Sequence, residues 1–356
     1  MNIRDRVLAT VTRTAETRVP WTIYRGLLPR GQAERELRDV GLGLQVQVPV
    51  YTIEYPHVEI ERREVPYKGA RMTRVTYHTP VGDAHLVQRR NLAAYGSFWT
   101  AEPLIKSVVD AKVMRYVIED GEYEDNFEVI RRTQEQIGGD GIVLGSVGLS
   151  PFQQLVHPAW LGMDGVSYWL VDHRSEFDGL IEALTEKMDK IYDLATRAPV
   201  KLIHSDENVT ALMEGPPIFK RYHLPFYERF VPRLHEADKL YATHFDGSIY
   251  PLRHLIAESP IDIVEAFTPP PMGDFSVADA KKLWPEKVIW INFPGNIFLD
   301  DRTAVAEYTA GLLAEAAPGG RFVLGITENI PEHAWKSGLG GIADGFRKFY
   351  GANQSE

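Results

Sequence analysis

From about residue 140 onward the chain repeats one unit, a short β-rich run closing on polar residues and then a longer amphipathic stretch. The runs are GIVLGSVG, VKLIHSDEN, LYATHFDG, IDIVEAFTP, VIWINFPGN and FVLGITEN. This is the rhythm of a parallel sheet, in which each strand returns through a helix. Two earlier runs, VPWTIY at Val19 to Tyr24 and LQVQVPV at Leu44 to Val50, bring the strands to eight. The predicted fold is therefore an α/β protein, a (β/α)8 TIM barrel, with a doubly wound open sheet as the alternative.

Two connecting stretches have clear helical faces. SEFDGLIEALTEKMDKIYDLATRAP sets Phe177, Leu180, Ile181, Leu184, Met188 and Ile191 at helical spacing behind an expected Ser175 cap. DDRTAVAEYTAGLLAEAAPGG sets Val305, Tyr308, Leu312 and Leu313 on one face and stops at Pro318-Gly319-Gly320. Between the second and third strands the text alternates with period two. Turns at Lys68-Gly69 and Pro80-Val81-Gly82 make Val58 to Arg90 an antiparallel β-meander insertion. With no internal repeat or linker, residues 1–356 read as a single barrel domain, a length that barrels with insertions reach.

Composition narrows the function. At 44% hydrophobic and 25% charged, the chain is of globular type, without the roughly 18 uninterrupted apolar residues of a membrane span. MNIRDRVLATVTRTAETRVPW intersperses charges where a secretory signal is continuously apolar, so a cytoplasmic protein is expected. The absence of cysteine excludes disulfides, thiolate ligands and cysteine nucleophiles, leaving His, Asp and Glu for any metal. A net charge of -10 without a basic stripe argues against nucleic acid.

In parallel barrels chemistry sits at the C-terminal ends of the strands. Here those ends carry His204, Asp206 and Glu207 on the fourth strand, His244 and Asp246 on the fifth, Glu265 within the sixth, Asn292 on the seventh and Glu328 on the eighth. Crowded carboxylates raise one another's pKa unless a cation, proton or hydrogen bond relieves them, and a divalent metal does so best. Glu265, in the apolar run IDIVEAFTP, needs a partner, a proton or a metal, and Glu328 follows the same logic. Glu207 and Asp301 also read as helix caps, His204 as a core or supporting histidine, and His223 as a loop residue. Tyr24, Arg25 and Arg30 follow the first strand; the arginines can hold a carboxylate or phosphate, or pair with Glu34 and Glu36. Of Trp21, Tyr51, Phe152, Tyr222, Phe226, Phe267 and Phe293, most belong to the core and a subset to a flat substrate pocket. Phosphate-loop, GxSxG, HExxH and post-strand GxGxxG motifs are absent.

Several stretches resemble the superfamily of uroporphyrinogen decarboxylases and corrinoid-linked methyltransferases. They are RDRVLATVTRTAETRVPW, YHTPVGD, PLIKSVVDAKV, GDGIVLGSVGLSPFQQLV, GPPIFKRYHLPFYERFVPRLHEADKLYATHFDG and GRFVLGITENIP, which together reach over nearly the whole chain. LLPRGQAERELRD, AFTPPPMGDFS and VIWINFPGN resemble the branch that demethylates methoxylated aromatics and similar methyl donors. Zinc methyltransferases of that family carry a histidine and cysteine pair after the fifth strand and a cysteine after the eighth. This chain has His244-Phe245-Asp246 and Thr327-Glu328-Asn329 there, so carboxylates stand in place of thiolates. The arginine-glutamine-alanine-glycine-arginine run of the decarboxylases is replaced by Arg25-Gly26-Leu27-Leu28-Pro29-Arg30.

The resemblance implies a zinc-dependent methyltransferase that moves a methyl group from an O-methylated, methoxylated aromatic substrate to a corrinoid carried by a partner protein. His244, Glu265 and Glu328, with Glu207 or Asp246, would hold the metal. His244, Asp206 and Tyr24 form the expected catalytic set, and Arg25, Arg30, Asn292 and Phe267 the substrate contacts. No corrinoid-binding DxHxxG segment is present, which is why the corrinoid is assigned to a partner. A homodimer is compatible with the family, though the sequence does not fix the oligomeric state. Two other readings stay open: a metal-free decarboxylase using Arg25 and Arg30 with Asp206 or Tyr24, and a catalytically silent binding barrel.

Overall fold

The structure, a computed structural model, describes residues 1–12, 18–28, 31–90 and 98–352. Eight parallel strands close into a barrel: β1 (Trp21–Tyr24), β2 (Leu42–Pro49), β3 (Gly141–Gly148), β4 (Leu202–Val209), β5 (Leu240–Phe245), β6 (Ile263–Phe267), β7 (Val288–Asn292) and β8 (Phe322–Ile326). These are the eight runs read from the sequence. β6, β7 and β8 are buried at every residue, which explains their unbroken apolar text.

Alternate residues of a barrel strand face its interior. Near the strand starts Ile142, Leu144, Leu202, Ala242, Ile263, Val288 and Val323 pack with Trp290 against Val7 and Val11 of the helix Ile3–Thr12, an apolar plug at one end. Trp290 Nε1 donates to Thr22 Oγ1 at 3.1 Å. A Cβ at position 325 would lie 2.8 Å from the indole, so Gly325 is what lets tryptophan fill the barrel centre. Beyond this plug, at the same strand parity, polar side chains begin.

The chain forms two compact units, Met1–Val48 with Glu128–Ser146 and Pro199–Glu356, and Pro49–Phe127 with Val147–Ala198. The second holds an antiparallel sheet of Glu59–Tyr67, Ala70–Thr79, Gly82–Arg90 and Phe98–Glu102, so the expected meander carries a further strand. Lys68 and Gly69, with φ of 47° and 82°, make the two-residue turn whose backbone twist suits a hairpin. Tyr51–Glu54 and Glu122–Asp125 form a second, two-stranded sheet. The helix Arg174–Arg197 starts before Ser175, which lies in its first turn and is not its cap. In the first unit Asp301 caps Arg302–Ala316, accepting from the amides of Thr303 and Ala304. Among the described residues no helix is long and apolar enough to cross a membrane.

Candidate metal centre

Where the plug ends, β4, β5 and β6 turn titratable side chains inward. His204, His244 and Glu265 present ligand atoms that all lie within 4.8 Å of one another. Strand pairing sets His244 beside Glu265, and Glu265 beside Trp290. Glu265 is fully buried, with Oε2 at 2.8 Å from His244 Nδ1 and 3.3 Å from His204 Nε2. Its other oxygen, Oε1, accepts from Gln45 Nε2 at 2.9 Å and from the Tyr24 hydroxyl at 3.1 Å. That hydroxyl also lies 3.3 Å from His244 Nδ1. Behind His204, Nδ1 donates to Asp206 Oδ1 at 2.8 Å, while Asp206 Oδ2 takes a short hydrogen bond from Ser146.

Electrostatics follow from this geometry. Burial opposes charge on His204, but its hydrogen bonds to Asp206 and Glu265 and their negative charges outweigh that and hold its pKa up at about 10. Burial likewise raises Glu265, yet the charge of His244 and hydrogen bonds from both histidines hold it far below the usual carboxylate range. Asp206 is lowered despite burial, through His204 and Ser146. Burial, reinforced by Glu265, pushes the Tyr24 phenol well above its ordinary value and keeps it protonated.

The cluster opens into a cavity of about 330 Å³ lined by Tyr24, Gln47, His204, Asp206, Glu207, Asn208 and His244. The loops that follow these strands are cross-tied. Ala211 N donates to Ser248 O at 2.7 Å, and Asp274 Oδ1 accepts from the amides of Ile249 at 2.9 Å and Tyr250 at 3.0 Å. Asp274 also bonds Ser248 Oγ, so the loops after β4, β5 and β6 form one bonded unit.

Of the residues singled out in the sequence, Tyr24, Asp206, His244 and Glu265 converge here. His204, read as a core or supporting histidine, stands among the ligand atoms. Glu207 has the opposite strand parity to Asp206; its buried carboxylate accepts from Tyr227 at 2.5 Å and Thr243 at 3.0 Å, away from the cluster. Asp246 accepts from Thr268 at 3.1 Å, and Glu328 accepts from Asn292 at 2.7 Å, and neither joins the three ligand groups. Burial and the nearby Asp246 raise the Glu328 pKa. Phe267 is turned away by a bulge: Ala266, at φ 55°, breaks the alternation of β6, and the ring packs on Phe275 and Trp284. Arg25 lies in the turn after Tyr24, with its amide bonded to Gln45 O at 3.0 Å, whereas Arg30 falls outside the described residues. His223, expected in a loop, is fully buried in the π-helical turn Phe219–His223, 2.7 Å from Glu214. Gln45 and Gln47 also belong here, without a place among the residues expected from the sequence; their signal is the period-two amides in LQVQV, on the inward side of a strand of valine and leucine.

No protein-family profile matches the chain, and no curated protein matches it. Among solved structures, a methyltransferase from Methanosarcina mazei aligns with a TM-score of 0.59 and 13% identity, over 98% of this chain and 99% of that one. Another match is the complex of sulfate ion and octameric ribulose-1,5-bisphosphate carboxylase/oxygenase (Rubisco) from Pyrococcus horikoshii OT3. Its TM-score is 0.36 at 7% identity, over 94% of this chain and 59% of that one. The first likeness is one of fold; the second is too remote to bear on the site.

Proposed function

We propose that this chain is a zinc-dependent methyltransferase that takes a methyl group from an O-methylated, methoxylated aromatic donor and passes it to a corrinoid held by a partner protein. The observation that carries the reading is the His204, His244 and Glu265 cluster on three adjacent strands, just beyond the apolar plug. Two histidines and a glutamate are a known donor set for zinc that keeps a position open for substrate. His204 further shows the arrangement of a metal-bound histidine, with Nδ1 committed to a carboxylate and Nε2 turned to the cluster. The full-length likeness to a methyltransferase fold supports the reaction class.

A zinc ion here would act as a Lewis acid, lowering the cost of negative charge on the donor's departing oxygen. The chain's own residues set the stage for that. Asp206, fixed by Ser146, holds the His204 Nδ1 proton and with it the ring orientation. Tyr24 stays protonated and donates to Glu265. Arg25, in the turn after β1, would meet a carboxylate where the donor carries one, and Asn292 fixes Glu328 at the strand ends. The corrinoid is the partner's contribution.

The test combines metal analysis with turnover. Purified protein should carry zinc and, with reduced corrinoid and a methoxylated aromatic, form methylated corrinoid. His244→Ala and His204→Ala should lose both zinc and turnover while keeping the fold. A parent protein that takes up no divalent metal, or variants that retain metal and full rate, would overturn the reading.

A further inference from the structure

We infer that Gln45, together with Tyr24, is a positioning residue that makes Glu265 a one-oxygen metal ligand. This rests on the metal reading above and adds to it the denticity of one ligand and the residues that set it. The two oxygens of Glu265 have different surroundings. Oε2 faces two imidazole nitrogens at 2.8 and 3.3 Å, whereas Oε1 faces only the uncharged donors of Gln45 and Tyr24, at 2.9 and 3.1 Å. For both oxygens to reach one ion, the carboxylate must turn and give up those two donors, which hydrogen-bond more strongly to a charged acceptor than to a neutral one.

Gln45 is built for this task and for no other visible one. It is fully buried, and β1 and β2 pair so that Tyr24 and Gln45 are register neighbours. Its amide nitrogen serves Glu265, while its carbonyl oxygen is buried without a hydrogen-bond partner among the described residues. An unsatisfied buried acceptor is costly, and an aliphatic side chain at this place would avoid that cost. The amide is explained by the one hydrogen bond it makes. With Oε1 occupied, Glu265 counts as a single ligand, and three protein ligands leave the fourth zinc position to a group from the cavity.

Cobalt(II) makes the inference measurable without turnover, because four-coordinate Co2+ absorbs visible light strongly and higher-coordinate Co2+ weakly. Gln45→Met removes the amide at similar volume, and Tyr24→Phe removes only the hydroxyl. In both variants zinc affinity should fall, on the order of 10–100-fold for loss of a supporting hydrogen bond. The Co2+ bands should weaken as the freed carboxylate binds through both oxygens. If Gln45→Met fails to fold, the Tyr24→Phe spectrum decides. Parent-like affinity and spectrum in the folded variants would overturn the one-oxygen assignment while leaving the metal reading intact. A parent protein that binds neither Zn2+ nor Co2+ would overturn the metal reading and this inference with it.

Discussion

Glu265→Gln keeps the shape of the most buried group in the site and removes its charge. Gln45 can rotate its amide, turning its unpaired oxygen toward the new NH2, so the substitution tests electrostatics more than hydrogen bonding. In metal-free protein His204 is held at about 10, against an ordinary value of 6.5. That displacement corresponds to about 5 kcal/mol of preference for the charged ring. Asp206 and Glu265 share this preference, at 2.8 and 3.3 Å. Removing the Glu265 charge should therefore destabilise the chelator-treated protein by about 2–3 kcal/mol at pH 6. The sign of the pH dependence follows from a raised histidine. Its contribution is complete below about 6.5, where the unfolded ring is also charged, and is lost as pH rises through the folded value of about 10. Urea denaturation of parent and variant at pH 6 and pH 10 should show a penalty that shrinks toward zero at the alkaline end. An equal penalty at both pH values would refute the idea that a protonated His204 is what Glu265 stabilises.

Two further predictions concern β6. Ala266→Gly should change stability by less than about 1 kcal/mol, since relief of the left-handed backbone offsets the lost methyl and glycine's greater freedom when unfolded, whereas Ala266→Val should cost several times more; urea midpoints of both variants check this. Phe267→Ala should cost about 3–5 kcal/mol, the penalty of emptying a packed aromatic site, with little change in KM for the methyl donor; a raised KM in a protein of parental stability would return Phe267 to the substrate pocket.

The barrel was legible because its strands are apolar inside and out until their last residues, where chemistry interrupts the pattern. His244 and Glu265 stood out for that reason, as charges at the end of apolar runs. His204 did not, since KLIHSDEN offers several polar residues in a row and only strand parity tells which face inward. The same parity separates Asp206, bonded to His204, from Glu207, whose carboxylate accepts from Tyr227 and Thr243. Phe267 was misplaced for a subtler reason: alternation predicts it inward, and the left-handed Ala266 that reverses it has no signature in an ordinary alanine codon. Gln45 has no such mark in the sequence, because a neutral amide within a strand carries no charge to set it apart.

The bonded unit formed by Ser248, Asp274 and Ala211 bears on how this barrel can change over evolutionary time. Barrels of this type acquire new specificities by exchanging one strand-end loop while the others stand. Here the loop after β5 is tied to both neighbours: Ser248 O is the acceptor for Ala211, and the amides of Ile249 and Tyr250 occupy Asp274. A transplant at that position orphans groups in both neighbouring loops. Exchange of the three loops as one cassette, or point substitution within them, keeps these bonds, whereas exchange of one loop leaves its neighbours' groups to water.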